Sequence, residues 1–361
     1  TLFGWALLFP CLHLLYRAAI LDERRLFLPL GVLAGCLPPV HTHSFLALGV
    51  ISLVLLIANC LSLRGGLRLF LCYGLIAAVL AAPQLLCFTF KQAASGSFLR
   101  LHWNWVNDKD SWLWFYVKNM GLIFLLMPPA LACARRESRL FFAGGALLWL
   151  ICELVVFQPN LYDNNKLIFV SYALMCGLTA EFMAKVWTAL REGALRRAAR
   201  VLAAFTLKAC FLSGGLTLAR EYVSGDHLGL GGWVESGYQV VSAQQRRLAE
   251  YVSENTEPDA VFATATNHNN AIAMLTGRSI VCGAGTFLYY HGLDYQPREA
   301  ALKLVYEQPA EWLDFYAQEY GIDYLLVSSH ERGSWAVDEE YFAAELDCVY
   351  SDGDLALYSL K

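Results

Sequence analysis

The sequence predicts a polytopic α-helical membrane bundle of about eight spans, followed by a C-terminal extramembrane α/β domain. Apolar residues make up 57% of the chain and charged residues 16%, and the mean hydropathy is +0.43. A water-soluble fold could not bury that much apolar surface. Long apolar runs fill residues 1–220, whereas 221–361 is polar and alternates helical with strand-like segments. These two stretches are the predicted domains.

Eight apolar segments have about the length needed to cross a hydrocarbon core ~30 Å thick. They lie at 1–16, 26–40, 45–62, 69–89, 112–132, 140–157, 167–187 and 201–219. Every second connection carries clustered arginines, such as Arg24 and Arg25, and the positive-inside rule makes these connections cytoplasmic. The other turns and the C-terminal domain are then extracytoplasmic, in the periplasm of a bacterial plasma membrane or the lumen of the endoplasmic reticulum. The segment 26–40 is the weakest prediction because it is short and contains Pro29.

Charge and cysteine content narrow the function classes. A net charge of -4 with scattered basic residues argues against a nucleic-acid partner. Nine of the 11 cysteines lie in or beside apolar runs and are interpreted as small core hydrophobes. Cys282 and Cys348 fall in the polar domain, where the alternatives are a bridge on the external side or two free thiols. The opening apolar run lacks the basic region and cleavage site of a signal peptide, so the chain is compatible with the C-terminal piece of a longer protein.

Two histidines follow a predicted helix stop within residues 38–44. In an extended chain, His41 and His43 point to the same side. In a recessed outer cavity they could hold a divalent metal ion or line a substrate phosphate. The alternative is structural, because polar side chains at a helix junction satisfy freed backbone groups inside a membrane.

The segment 158–166 precedes a long apolar helix and predicts an anion site. Asp163 or Asn164 is the predicted N-cap. The free N–H groups and positive dipole end of a helix start favour phosphate or carboxylate, and Lys166 adds a charge. The alternative is an ordinary capped helix with a lysine that reaches to the membrane surface.

The segment 98–118 is dense in aromatic residues. An interfacial aromatic belt explains most of them. The alternative is a loop that stacks on a sugar ring or lipid chain, in which His102 and Trp103 bind substrate. Asp108 or Asp110 is then the candidate catalytic acid or base.

Ionisable residues inside predicted spans are expected to pair, because an isolated charge is costly in a membrane. By depth, Lys118 is predicted to pair with Glu153, and Glu181 with Lys208. Clamping of helices is the expected role of both pairs.

The C-terminal segments predict an α/β layer domain. Helices are predicted at 242–254, 270–275 and 298–320, strands at 260–265, 279–282 and 324–327, and a terminal hairpin at 348–350 and 355–360. Asn267 and His268 follow a strand and open a helix, where open sheets tend to bind ligands. They are predicted to bind substrate, and a helix cap is the alternative.

Three short segments, at 163–166, 258–262 and 321–324, together with the polar outer loops, resemble the C-terminal part of a GT-C type membrane glycosyltransferase. This superfamily includes protein O-mannosyltransferases, aminoarabinose transferases and oligosaccharyltransferases. The resemblance implies transfer of a sugar from a polyprenyl-phosphate carrier on the outer or luminal face, with membrane lipids as neighbours. The catalytic aspartate of such enzymes usually lies in the first outer loop, and no residue here matches that position.

Two further functions use the same groups. A transporter or a non-catalytic lipid-binding scaffold would hold a substrate with the histidines and Lys166 without chemistry. A purely structural subunit would use the α/β domain to dock a partner.

Overall fold

The computed structural model describes residues 1–61, 66–90, 99–104, 107, 109–158, 160–189, 193–224 and 240–360. The chain divides into two compact units, 1–230 and 231–361, here called the helical unit and the α/β unit. The predicted domain boundary after residue 220 falls inside the last helix of the helical unit, Ala194–Ser224.

The described part of the helical unit is mainly α-helix. Its helices are α1 Leu2–Ala19, α2 Phe27–Gly35, α3 Pro38–Leu61, α4 Leu67–Gln84, α5 Trp112–Met120, α6 Leu122–Cys133, α7 Arg136–Leu154, α8 Asn165–Ala189 and α9 Ala194–Ser224. Two short strands, β1 Arg100–Leu101 and β2 Val155–Val156, pair antiparallel. Single turns of 3₁₀ helix at Arg24–Leu26 and Leu161–Asn164 precede α2 and α8, and a π turn, Leu85–Thr89, extends α4.

Several of these helices are long and apolar, as in an integral membrane protein. Within the described residues, five are long and apolar enough to cross a membrane. They are Leu2–Ala19, Pro38–Leu61, Leu67–Thr89, Leu161–Thr188 and Ala194–Tyr222. A sixth results if α5 and α6, which meet at an angle of 101°, count as one broken span.

The eight predicted spans are not confirmed, for three local reasons. The segment 26–40 yields α2, whose nine residues reach only about 13 Å. The segment 112–132 bends at Gly121, whose φ of 61° ends one helix and starts the next. Every 18-residue stretch of helix α7 contains at least three charged residues, because Arg136, Glu137, Arg139 and Glu153 lie near its two ends.

Helices α1 and α3 run parallel to each other. Gly4 lies against the ring of His41 near the start of both helices. At the opposite end, Ala19 and Asn59 line one cavity with Arg136. Gly4 and Ala19 are about 22 Å apart along α1. The intervening segment, which contains α2, therefore returns across most of the bundle although α2 itself is short.

The other end of the bundle, where α1 and α3 finish, is here called the arginine end. Arg136 at the start of α7 lines the cavity that Ala19 and Asn59 also line. Lys185 of α8 donates to the carbonyl of Cys133 at 2.5 Å, which brings the last turns of α8 to the same end. Arg200 near the start of α9 lies over the Trp187 ring at 5.1 Å. Four arginine-bearing connections thus meet at one end, because the start of α4 also lies there, with Gly66 beside Asn59.

Glycines allow the helices to approach closely where they cross. A Cβ added to Gly144 of α7 would lie 2.9 Å from the Cα atom of Ile51 on α3. A Cβ added to Gly35 of α2 would likewise lie 2.5 Å from the Cβ atom of Leu80 on α4. Small residues at such crossings are the usual means of packing helices inside a membrane.

Replacing Gly144 by valine is expected to destabilise the helical unit by about 1–3 kcal/mol, the usual effect of overpacking. The new side chain would meet backbone, which cannot rotate away. Thermal unfolding of the detergent-solubilised chain measures the effect. Gly177→Val on α8 is the matched control, because a Cβ there has no atom within 4 Å. Equal melting temperatures for the two variants would contradict the close α3–α7 crossing.

The α/β unit contains a five-stranded sheet in the order β4-β3-β5-β7-β6, with helices packed on it. Its strands are β3 Val261–Ala263, β4 Ser279–Ile280, β5 Tyr324–Val327, β6 Asp347–Asp352 and β7 Leu355–Ser359. Its helices are α10 Ala243–Asn255, α11 Ala271–Thr276, α12 Gly285–Tyr290, α13 Gln296–Glu307, α14 Pro309–Tyr320, α15 Ser329–Ser334 and α16 Glu339–Glu345. β3, β4 and β5 are parallel, and the terminal hairpin adds two antiparallel strands, as predicted.

Successive side chains of the central strands point to opposite faces of the sheet, and both faces are buried under helices. Phe262 and Leu326 pack with α10 and α11 on one face, whereas Ala263, Leu325 and Val327 pack with α13 on the other. The predicted helix 298–320 is two helices, because Pro309 cannot continue α13 and instead starts α14.

No disulfide joins Cys282 to Cys348, since both are free thiols. Cys282 follows β4 and Cys348 lies on β6, the two opposite edge strands of the sheet. The sheet topology keeps these residues apart, which selects the alternative of two free thiols. Burial raises the pKa of the Cys282 thiol above its ordinary value, so it remains protonated near neutral pH.

An ion pair on the surface of the α/β unit predicts a small pH dependence of its stability. Arg332 donates to both carboxylate oxygens of Glu339, at 2.7 and 2.8 Å, and these hydrogen bonds hold the pKa of Glu339 below its usual value. A lowered folded pKa stabilises above the unfolded pKa of about 4.3, and the gain is lost as the pH falls through the folded value. Because the pair is half-exposed, we expect about 0.2–1 kcal/mol. We measure the free energy of unfolding in urea at about pH 6 and pH 3. It should fall more between these two pH values in the parent than in Glu339→Gln. An equal fall in both would exclude the ion pair as a source of stability.

Candidate functional site

Several predicted polar residues meet at the end of the bundle opposite the arginine end, here called the histidine end. His43 contacts the side-chain amide of Gln158, which connects the start of α3 to the turn before α8. Trp5 of α1 packs edge-to-face on Phe169 of α8, with ring centroids 5.7 Å apart. The starts of α1, α3 and α8 therefore lie together around the histidine pair.

A kink in α3 lies at the two imidazoles of this end. His41 has φ -163° and ψ 95°, an extended conformation that interrupts the helix. Its Nδ1 atom lies 2.8 Å from the hydroxyl of Ser44, and its ring lies 5.1 Å from that of His43. His41 is only 9% exposed, and its Nε2 atom has no hydrogen-bond partner among the described residues. A buried polar atom without a partner costs about 1–3 kcal/mol.

The turn before α8 carries the predicted cation. Lys166 Nζ lies 2.8 Å from Asp163 Oδ2, so the two side chains form an ion pair at the start of the helix. The side chain of Asn160 accepts the N–H of Tyr162 and caps the preceding 3₁₀ turn. Asn164 directly precedes α8, as predicted for an N-cap, but its Oδ1 atom accepts no hydrogen bond from the described residues.

Asn164 fastens the turn to the end of α7. It is fully buried, and its amide nitrogen donates to the carbonyls of Cys152 and Val155 at 3.0 and 2.7 Å. Its Oδ1 atom has no hydrogen-bond partner among the residues that the structure describes. The amide nitrogen of Asn164 therefore joins the turn to α7, whereas its Oδ1 atom accepts no hydrogen bond from the described residues.

The aromatic segment, described at 99–104, 107 and 109–120, is here called the strap. Its strand β1 pairs with β2, and the N–H of His102 donates to the carbonyl of Leu154 at 2.9 Å. Trp103, which follows, is 62% exposed. Since β2 leads directly to Gln158, this pairing holds His102 and Trp103 near the chain that reaches the histidine end.

The strap contains the two aspartates that the sequence offers as catalytic acid or base, Asp108 and Asp110. Asp108 lies outside the described residues. Asp110 forms an ion pair with Lys118 of α5, and its backbone N–H donates to Asn107 Oδ1 at 3.0 Å. Asp110 thus stabilises the strap in the structure described.

Both predicted intramembrane pairs are wrong. Glu153 is 3% exposed and accepts hydrogen bonds from the Trp112 indole, at 3.2 Å, and from the Tyr116 hydroxyl, rather than from Lys118. Neutral aromatic donors satisfy this carboxyl group, whereas Lys118 turns to the strap.

At the arginine end, Glu181 pairs with Lys185 at 2.8 Å and with Arg135 at 3.4 Å instead of with Lys208. A lysine one helical turn away on the same face was the nearer partner. Lys208 lies exposed on α9.

The fit of a metal ion to the histidine pair can be tested on the donor set. Within the described residues, no group of three or more His, Cys, Asp or Glu side chains is arranged to hold a metal ion. His41 and His43 lack a third protein ligand of that kind, and a closed or catalytic zinc site needs at least three. His41 and His43 therefore do not fit a divalent metal ion, which was one of the roles considered for them from the sequence.

Asn267 and His268 belong to the α/β unit and follow β3, as predicted. His268 is exposed and stacks on Phe287 with ring centroids 4.3 Å apart. The cap of α11 is Asn270, whose Oδ1 accepts the N–H of Ala273 at 3.2 Å. Neither predicted residue is the cap.

Sequence reasoning missed the residues that connect these groups. Ser44 and Gln158, the partners of the two histidines, carry no motif, although Gln158 lies within the polar turn that was singled out. Trp112 and Tyr116 were assigned to an interfacial belt, and only the fold reveals them as donors to Glu153.

No protein-family model matches the sequence, and no curated protein matches it. Function is therefore inferred from the side chains and their geometry.

Proposed function

We propose that the helical unit binds a polyprenyl-phosphate-linked sugar at the histidine end and is part of a GT-C type membrane glycosyltransferase. The observation that supports this most is the meeting of His41, His43, Gln158 and the Asp163–Lys166 pair at one end of an apolar bundle. An amphipathic lipid phosphate combines a charged group for such a cluster with an apolar chain for the membrane.

The phosphate would occupy the space between α3 and α8. The start of α8 contributes its positive dipole end, and Lys166 contributes a full charge. His41 Nε2 and Asn164 Oδ1 are buried and have no partner among the described residues, and in this proposal each accepts a hydrogen bond from a hydroxyl or a protonated phosphate oxygen. Asp163 orients Lys166 before the ligand arrives.

The sugar is assigned to the strap. Trp103 presents an exposed indole face, and a ring of this kind has an apolar body and a polar edge that suit a pyranose. His102 adds an imidazole next to it in sequence. The strand pairing of β1 with β2 limits how far these side chains can move from the histidine end.

The proposal assigns no catalytic residue. Transfer needs a base for the acceptor hydroxyl, whereas Asp110 and Asp163 are already paired with lysines. Those pairings favour a second candidate, a lipid-phosphate-binding scaffold without transfer. In a transferase the base would come from Asp108 or from a segment outside the described residues.

The arginine distribution supports a sidedness for the site. The positive-inside rule assigns the arginine end to the cytoplasm, and the histidine end then faces the periplasm or lumen. Helix α9 starts at the arginine end, and its 31 residues reach about 46 Å, enough to cross a bilayer. The α/β unit, which follows α9 in the chain, is proposed to be extracytoplasmic, in the periplasm or lumen.

Reconstituted vesicles that contain the full chain and a polyprenyl-phosphate-linked radiolabelled sugar test this proposal. Retention of the labelled lipid by the protein, together with release of labelled product onto an added membrane-extract acceptor, is the result expected of a transferase. Retention without product would select the scaffold. Absence of retention would exclude both.

A further inference from the structure

Exposed apolar side chains of the α/β unit are concentrated at α12. Within its described residues, 240–360, eight large apolar side chains are exposed. Four of them, each 44–50% exposed, lie within 287–293: Phe287, Tyr289, Tyr290 and Leu293. The other four are spread over three places in the sequence: Val240, Met274, Leu275 and Phe315. Single exposed apolar residues are normal on a protein surface, whereas a contiguous group marks a contact surface.

Local contacts join the four side chains to His268 in one surface, here called the α12 patch. Phe287 and Tyr290 are three residues apart and therefore lie on the same side of α12. The ring centroids of Tyr289 and Tyr290 are 5.5 Å apart, and Phe287 stacks on His268 at 4.3 Å. After the helix, the N–H of Leu293 donates to a carbonyl of α12 at 2.9 Å, which keeps Leu293 beside the helix.

The opposite side of α12 is fixed to the α/β unit. Leu288 packs against the buried cluster that includes Cys282. A Cβ added to Gly285 would lie 2.5 Å from the ring of Tyr295, so the start of the helix lies closely on this ring. One side of α12 is thus held by the domain, and the other side presents the patch to the surroundings.

The residue types of the patch argue against a partner that is recognised by charge. No Asp, Glu, Lys or Arg occurs between Ser279 and Leu293. The two tyrosines combine an apolar ring with a polar hydroxyl. Side chains of this kind are enriched where a membrane meets water, because the ring can lie against the acyl chains while the hydroxyl stays hydrated.

The chain itself keeps a bilayer close to the patch. Helix α9 is long and apolar enough to cross a membrane, and only residues 225–242 lie between it and α10. The α/β unit is therefore confined near a membrane surface, where the effective concentration of lipid is high. A contact made by a few side chains is sufficient there, because α9 already supplies the attachment.

We infer that the α12 patch lies in the interfacial layer of this bilayer and holds the α/β unit on the membrane surface. Phe287 and Leu293 enter the boundary between headgroups and acyl chains, and the two tyrosines lie at the level of the headgroups. His268 borders the contact through its stacking on Phe287. This contact depends only on the membrane-spanning helices and not on the function proposed for the histidine end.

Photocrosslinking of the full chain in phosphatidylcholine nanodiscs tests the contact. The photoreactive residue p-benzoylphenylalanine replaces Tyr290 or, in the matched control, Ser351. Ser351 is exposed on β6, the edge strand opposite β4, whereas α12 follows β4. We expect about tenfold more radiolabelled phosphatidylcholine on position 290 than on position 351, because burial of one large apolar side chain shifts an equilibrium by at least that factor.

A second comparison tests the apolar side chains of the patch. With the photoreactive residue at position 290, Phe287→Ser combined with Leu293→Ser should lower lipid labelling about tenfold. Phe315→Ser is the control, because it removes a ring that is 56% exposed outside the patch, and it should leave labelling unchanged. Hydrogen exchange of the β3 and β5 amides verifies that each variant keeps the fold. If the double variant unfolds, the comparison of positions 290 and 351 decides alone.

Three results would overturn the inference. They are equal lipid labelling at positions 290 and 351, unchanged labelling in the folded double variant, and crosslinking of position 290 to protein instead of lipid. The last result would identify the patch as a protein interface. Lys166→Met separates the patch from the histidine end, because it should weaken binding of polyprenyl phosphate and leave lipid labelling at position 290 unchanged.

Discussion

Replacing Lys166 by methionine is expected to weaken binding of polyprenyl phosphate to the full chain by about 10- to 100-fold. A hydrogen bond to a charged group contributes about 1.5–3 kcal/mol, and each 1.4 kcal/mol is a tenfold change in affinity. Methionine keeps the length and apolar stem of lysine, so α8 should retain its packing. Equilibrium binding of radiolabelled polyprenyl phosphate in non-ionic detergent measures the change.

Lys185→Met is the matched control for this experiment. Lys185 is also a lysine of α8 in an ion pair, with Glu181 at 2.8 Å, but it lies at the arginine end. Its replacement should leave the affinity within about twofold of the parent. Equal weakening in both variants would mean that the lipid phosphate responds to the charge of the bundle as a whole, and the histidine end would lose its assignment.

The sequence located much of the candidate site because its residues lie next to helix breaks. Pro38 and Pro39 interrupt the chain before the histidine pair, and the polar turn 158–166 interrupts it before α8. Breaks of this kind collect at the ends of a bundle, so their polar residues were predicted to lie together. Hydrogen-bond partners were not predictable, since Gln158 reaches His43 across 115 positions of sequence.

The strands of the α/β unit were predicted closely, whereas the spans of the bundle were not. β5 is a short apolar run that starts with an aromatic residue, ends with a β-branched one and lies between turn residues, which identifies a buried strand from local pattern alone. In the bundle, an apolar run has a similar sequence whether its helix crosses the membrane, bends within it or is too short to cross it. The bend at Gly121 and the shortness of α2 depend on neighbours that the run itself does not reveal.

Pairing of intramembrane charges failed for a related reason. Depth in a span predicts which residues share a level, but not which direction around the helix each side chain takes. Glu153 turns to the indole of Trp112 and the hydroxyl of Tyr116, two neutral donors that no charge rule considers.

Tyr306 is expected to be the most sensitive position of the α/β unit. Its side chain is fully buried, and its hydroxyl donates to the carbonyls of Ala263 and Leu326, at 2.9 and 2.7 Å, where β3 and β5 end. Its ring stacks on Trp335 at 4.9 Å. Tyr306→Ala should lower the free energy of unfolding by about 3–5 kcal/mol, since it leaves a large cavity. Tyr306→Phe should lower it by about 1–3 kcal/mol, because it keeps the ring but leaves both carbonyls without this donor.

The hydroxyl also predicts a signature at alkaline pH. Burial, with Glu331 nearby, raises the pKa of Tyr306 well above its usual value. A raised folded pKa stabilises fully below the unfolded pKa of about 10 and loses that contribution as the pH rises above it. The parent should therefore lose stability above about pH 10 more steeply than Tyr306→Phe.

Hydrogen exchange of the β3 and β5 amides in the full chain measures these free energies without separating the two units. Tyr290→Phe is the control, because Tyr290 is 44% exposed and its hydroxyl should contribute little. If Tyr306→Phe exchanged at the rate of the parent, the hydroxyl would not join the two strand ends.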